Sequence, residues 1–132
     1  MKYLCVVFVA VTCFVLSWCQ SSPKPESALP EPAKKCLAQE NVDYQYAIDF
    51  HSGKIKLEDV SAAFKCFIHC IVEDGGYMKD GQILEENIVK AAENITSVDQ
   101  VRKIISNCKI VKGGNACEMS FNTYMCISSE LK

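Results

Sequence analysis

Six cysteines between residues 36 and 126 constrain this chain more than any other feature: Cys36, Cys66, Cys70, Cys108, Cys117 and Cys126. Three more, Cys5, Cys13 and Cys19, sit near the N-terminus. There Lys2 precedes an apolar run from Leu4 to Leu16. A signal-peptide core is about 7–15 residues long, whereas a membrane span needs about 20. Ser17 and Cys19 occupy the two small-residue positions that a signal peptidase reads, so residues 1–19 read as a signal peptide cut after Cys19. Cleavage turns an odd count of nine cysteines into an even set, as an oxidised secreted protein requires. It also removes Lys2, which moves the formal net charge from −2 to −3, and Trp18, the single tryptophan. No basic stripe is left, which argues against nucleic acid as a partner.

All four prolines fall between Pro23 and Pro32, so residues 20–32 read as an extended N-terminal arm. Residues 33–132 then form one domain. Apolar positions there recur mostly at helical rather than strand spacing, which predicts an all-α fold. Helices are expected over 33–40, 44–53, 57–76, 84–94, 97–109 and 116–129. Gly53 and the Gly75–Gly76 pair are helix stops. Ser97 and Gln100 are spaced as a capping box. The Asp80–Gly81 dipeptide marks a turn, and Gly113–Gly114 breaks the chain before the last helix. A short tail follows Cys126.

The stretch from Cys66 to Cys70 encloses His69 and invites a chemical reading. A step of about 100° per residue puts Val60, Ala63, Phe64, Phe67, Ile68 and Ile71 on one apolar face. Cys66 and Cys70 flank that face. His69 falls opposite, in a row with Lys65 and Glu73, and is expected to face solvent. That placement speaks against a general base, which must reach a substrate. Zinc would need further ligands, and the other histidine is His51. Haem attachment takes C-x-x-C-H, not the C-x-x-H-C found here. No catalytic residue, metal or cofactor is therefore expected.

Cysteines four apart on a helix are too widely separated for a disulfide, so Cys66 and Cys70 should not pair. On a continuous last helix Cys117 and Cys126 would be about 13 Å apart and could not pair either. Those exclusions leave most of the 15 possible pairings open.

The intervals are C-x29-C-x3-C-x37-C-x8-C-x8-C, covering Cys36 to Cys126. This pattern resembles the six-cysteine form of the insect odorant-binding proteins, pheromone-binding and general odorant-binding types. The x3 and final x8 intervals are the fixed ones of that family. The resemblance implies pairing of first to third, second to fifth and fourth to sixth cysteine: Cys36–Cys70, Cys66–Cys117 and Cys108–Cys126. It implies about six helices around an internal apolar cavity, and a carrier with no enzymatic activity. Its ligand would be a small hydrophobic molecule (odorant, pheromone or fatty-acid-like). The carrier would be secreted into sensillar lymph or another body fluid and would deliver its ligand to an olfactory receptor. It would be a monomer or weak homodimer without stable membrane insertion.

The apolar faces supply a candidate lining for such a cavity. Phe64, Phe67, Ile68 and Ile71 come from the long helix. Met78 and Ile83 lie in the following loop, and Leu84, Ile88 and Ala92 on the next helix. Val101, Ile104 and Ile105 come from the fifth. Phe121, Tyr124 and Met125 come from the last helix, with Ile127 and Leu131 from the tail. Tyr124 is the best polar handle among them, since its hydroxyl can orient an alcohol, aldehyde or acid. The sequon at Asn94, Asn-Ile-Thr, is a candidate glycosylation site where a helix should end.

Two rival classes compete with an olfactory carrier. A secreted phospholipase A2 resembles this chain in size and disulfide content, but its C-C-x-x-H-D signature and glycine-rich calcium loop are missing. A secreted helical interaction protein would show an exposed apolar patch in place of a cavity. Within the carrier class, transport of a lipid or hormone in a non-olfactory fluid is the alternative. Peptide mapping of the oxidised protein should link Cys66 to Cys117; a Cys66–Cys70 bond would overturn the helical reading.

Overall fold

The structure, a computed structural model, describes residues 29–109 and 112–131. The expected signal peptide and most of the proline-rich arm lie outside the described residues. Among the described residues six α-helices run in the order α1 (Glu31–Gln39), α2 (Tyr44–His51), α3 (Ala62–Asp74), α4 (Glu85–Ala92), α5 (Val98–Cys108) and α6 (Ala116–Glu130). A two-stranded antiparallel hairpin, β1 (Met78–Lys79) and β2 (Gln82–Ile83), lies between α3 and α4.

Local chemistry accounts for most boundaries. Pro30 caps α1 and Pro32 sits in its first turn, where a missing N–H costs nothing, so the helix starts two residues inside the expected arm. The sequence pattern runs α3 from residue 57, but Ser61 accepts a hydrogen bond from the Phe64 N–H and starts the helix there. Leu57–Asp59 is instead a single 3-10 turn, and Val60 is extended. Helices α1, α2 and α3 end alike. The residue after the cap has positive φ (Asn41, 53°; Gly53, 77°; Gly76, 74°), and the next N–H reaches back to a carbonyl of the last turn. These are Val42 to Leu37, Lys54 to Asp49 and Tyr77 to Val72, at 3.0, 2.9 and 2.9 Å. The expected turn at Asp80–Gly81 is a two-residue hairpin loop with φ of 50° and 77°. The two strands it joins are too short to leave an alternation in the sequence. Asn115 caps α6, and its first turn is locked further by Glu118, which accepts from the Gly114 N–H at 2.8 Å. The segment after Cys126 is no separate tail, because α6 continues to Glu130.

Disulfides join Cys36 to Cys70, Cys66 to Cys117 and Cys108 to Cys126. They link the helices in series, α1 to α3, α3 to α6 and α6 to α5. The main core lies where α1, α2, α3 and α6 meet, around Leu37, Phe64, Phe67, Ile68 and Phe121. A smaller cluster of Val89, Ala92, Val101 and Ile105 packs α4 on α5. Helices α2 and α4 carry no cysteine and are held by other means. Phe50 and Tyr46 of α2 pack with tilted rings against Phe64 at 4.8 and 5.2 Å between ring centroids. Glu85 of α4 pairs with Arg102 at 2.7 Å and with Lys109 at 3.0 Å.

His69, expected to face solvent, does not point freely into it but is partly buried. Its Nδ1 lies 2.7 Å from the Ser120 hydroxyl, and its side chain is 25% exposed. Helix α6 packs across the flank of α3 that a helical wheel reads as polar. It presents the small, buried Ser120 there, so the histidine fits at the junction.

The Glu85 carboxyl is held below the usual glutamate range, first by Lys109 and then by Arg102. A depressed folded-state pKa gives stability that is present above the unfolded pKa and lost as the pH falls through the folded one. Glu85→Gln should therefore lower the melting temperature at neutral pH. Its difference from wild type should close below the usual glutamate range; a constant difference in melting scans across that range would refute the assignment.

Candidate ligand-binding site

Two apolar cavities flank the α3–α6 pair. The larger, about 650 Å³, lies among α1, α2, α3 and α6. Leu29, Ala33 and Leu37 line it from the α1 side, with Phe67, Ile68 and Ile71 from α3 and Tyr124 from α6. Tyr44, Ala47, Ile48, His51 and Ser52 complete the wall from α2 and its cap. The smaller, about 230 Å³, is bounded by Val72, Tyr77, Met78, Ile88, Ala91, Ala92, Ile95, Thr123, Tyr124, Ile127, Ser128 and Leu131. Side-chain spacing explains the division. Adjacent residues on a helix point about 100° apart, so Ile71 faces the larger cavity and Val72 the smaller.

Polar groups are few and concentrated in the larger cavity. His51 Nδ1 lies 2.8 Å from the Ala47 carbonyl, which can only accept, so Nδ1 carries a proton. In the neutral ring Nε2 is then an acceptor, and the Tyr124 hydroxyl, 3.4 Å away, donates to it. This pair, the Ser52 hydroxyl (which donates to the Asp49 carbonyl at 3.1 Å and can still accept) and the Tyr44 ring with its hydroxyl are the polar points of a mostly hydrocarbon wall, and the pair with Ser52 is one place able to orient a polar end group.

His69 and Ser120 resemble part of a hydrolase, but the arrangement is unsuited to one. Ser120 is 1% exposed and borders neither cavity. Glu73 is 3.9 Å from His69 Nε2, beyond hydrogen-bond distance. Among the described residues Cys36, Cys70 and Asp74 also cluster, within 4.8 Å, but both sulfurs are consumed in one disulfide.

The PBP/GOBP family model matches residues 21–130. The chain belongs to that family. Two Drosophila melanogaster relatives agree. General odorant-binding protein 57c is 28% identical over 103 residues, 74% of this chain and 68% of the relative. General odorant-binding protein 56a is 28% identical over 65 residues, 49% of this chain and 47% of the relative. The fold matches the fatty acid binding protein OBP56a from the oral disk of the blowfly Phormia regina, with TM-score 0.65 and 24% identity, over 75% of this chain and 84% of that one. It also matches Drosophila melanogaster OBP28a, with TM-score 0.61 and 18% identity, over 76% and 87%. PBP/GOBP proteins bind small odorants and lipids, and are binding proteins rather than enzymes.

Within this PBP/GOBP fold, the residues singled out from sequence divide between walls and packing. Phe67, Ile68, Ile71 and Tyr124 border the larger cavity, and Met78, Ile88, Ala92, Tyr124, Ile127 and Leu131 the smaller. Phe64, Val101, Ile105 and Phe121 are instead packed core, because a second layer of side chains covers them. Met125 packs against the main core. Ile83 borders a more polar cleft beside the hairpin, and Ile104 another beside α5. Leu84 caps α4 and lines none of these spaces.

Helix α2 adds a wall that the candidate lining read from sequence does not include. Its Tyr44, Ala47, Ile48 and His51 follow i, i+3, i+4 and i+7 spacing, a signal that was available. Asn94 is exposed in the turn after α4.

Wall and core should respond differently to truncation. Phe64 is fully buried, and Phe64→Ala should cost about 3–5 kcal/mol in denaturant unfolding. Ile71 already faces empty space, so Ile71→Ala should fall at or below the low end of the usual 2–5 kcal/mol, about 2. Equal losses would show that Ile71 is core.

Proposed function

We propose that the protein is a secreted carrier that reversibly encloses a small, largely hydrocarbon molecule and carries it through an aqueous body fluid to receptors. The observation that carries this reading is the larger cavity. Its volume falls within the range of about 300–1,000 Å³ found for small-molecule sites. Apolar burial supplies the affinity, about 0.8 kcal/mol per methylene removed from water. The His51–Tyr124 pair and Ser52 supply orientation for one polar end. No bond is made or broken, so release needs only the reverse motion.

Fatty acids rather than volatile odorants are favoured as ligands by one comparison. The blowfly protein of the same fold is described as a fatty acid binding protein from the oral disk. That supports a carrier of chain lipids in a secreted fluid outside the antenna as the second reading.

Displacement of a fluorescent naphthylamine probe discriminates among these. An extrinsic probe is needed, because cleavage after Cys19 would leave no tryptophan. Fatty acids should displace it at micromolar concentration, and more strongly than compact odorants. Ile48→Trp, which fills the larger cavity, should weaken probe binding at least about tenfold, equivalent to 1.4 kcal/mol. Absence of probe binding or displacement below millimolar ligand would refute the carrier reading.

A further inference from the structure

We infer that Tyr124 is a movable partition between two compartments of one ligand chamber, and that it sets the length of chain the protein holds. The inference rests on the carrier reading above and extends it to specificity. Tyr124 is the residue common to the walls of the 650 Å³ and 230 Å³ cavities. The smaller space is below the size usual for an independent ligand site, about 300 Å³, which makes it an extension rather than a second site.

The two compartments differ in chemistry in the way that a long amphipathic ligand requires. The larger carries the groups able to meet a polar end, His51 and Ser52. The smaller is walled mainly by Val72, Met78, Ile88, Ile127 and Leu131, which suits only a hydrocarbon end. A chain anchored beside His51 and too long for the first compartment meets the Tyr124 ring at the boundary.

Little holds that ring in place. Its hydroxyl makes one long hydrogen bond, 3.4 Å, to His51 Nε2. The side chain is only partly buried and packs against the rim of the main core rather than within it. Met78, in the smaller compartment, is unbranched and can repack around an arriving chain. Swinging the ring aside therefore breaks one weak hydrogen bond and gives up its contacts at the rim of the core, and an arriving hydrocarbon chain replaces those contacts.

A series of straight-chain fatty acids from short to long, titrated against the oxidised mature protein, tests this. Wild-type affinity should rise about fourfold per added methylene while the first compartment fills, then more gently beyond a break. Tyr124→Ala should move that break to longer chains at unchanged one-to-one stoichiometry. Adding Ala91→Phe, an exposed position bordering the smaller compartment, should return the break to its wild-type length. Tyr124→Phe, which keeps the ring and removes its hydrogen bond, should leave the break in place and raise long-chain affinity severalfold relative to short-chain affinity, any change at the polar end being common to all lengths. An unmoved break in Tyr124→Ala would overturn the partition, as would a second equivalent of ligand or no effect of Ala91→Phe on the double variant. Should Tyr124→Ala not fold, an unchanged ratio of long-chain to short-chain affinity in Tyr124→Phe would overturn it by itself. No fatty-acid binding by wild type would instead remove the carrier reading and the partition with it.

Discussion

The covalent series α1–α3–α6–α5 is the constraint on which the rest of this structure depends. Each disulfide in a small secreted domain contributes about 2–4 kcal/mol, chiefly by restricting the unfolded chain. That contribution does not require the helices to fill the space between them. Apolar side chains bordering a void lose part of their dispersion contacts, and cavities ordinarily destabilise a domain. Cross-links of wide sequence separation, 34 and 51 residues for the two that hold α3, offset this loss. A sizeable apolar pocket, open to solvent beside His51 and Ser52, becomes compatible with a chain this short.

Helix α3 is where scaffold and site coincide. Its cysteines point to α1 and α6. Phe64 anchors the aromatic cluster that retains α2, and Ile71 and Val72 face separate cavities. His69 completes the arrangement by bonding to Ser120, so that even the side chain with the most chemical promise serves the α3–α6 contact. Packing around α3 thus spends its polar groups on structure and leaves the cavities hydrocarbon. The exception, His51 with Tyr124, stands where α2 and α6 approach each other across the larger cavity. Neither helix is disulfide-bonded to the other, so this contact can adjust to what the cavity holds.

Much of the fold was legible in the sequence because its signals are local. Gly53 and Gly76 stop helices where their positive φ is needed, Ser97 caps α5, and the cysteine intervals identify the family pattern. Errors arose where a short-range signal was overridden or diluted. Ser61 restarts a helix that the apolar periodicity had run continuously from Leu57. The hairpin at Met78–Ile83 has strands too short to alternate. The site was less legible. Phe64 and Phe67 both belong to the apolar face of one helix, yet Phe64 is sealed by Tyr46 and Phe50, whereas Phe67 reaches the cavity. Periodicity registers that a face is apolar, not whether a second layer of side chains covers it.

The sequence by itself determined that the chain is helical, cysteine-stapled and of the odorant-binding type, because capping, periodicity and cysteine spacing are properties of neighbouring or fixed positions. Only the tertiary structure decided which apolar residues face empty space and that His69 is partly buried against Ser120. It also decided that His51 and Tyr124, 73 residues apart, share a hydrogen bond at the edge of the chamber. Those outcomes depend on how α2 and α6 are set against α3, and helix-to-helix placement is fixed by long-range packing that no local pattern encodes.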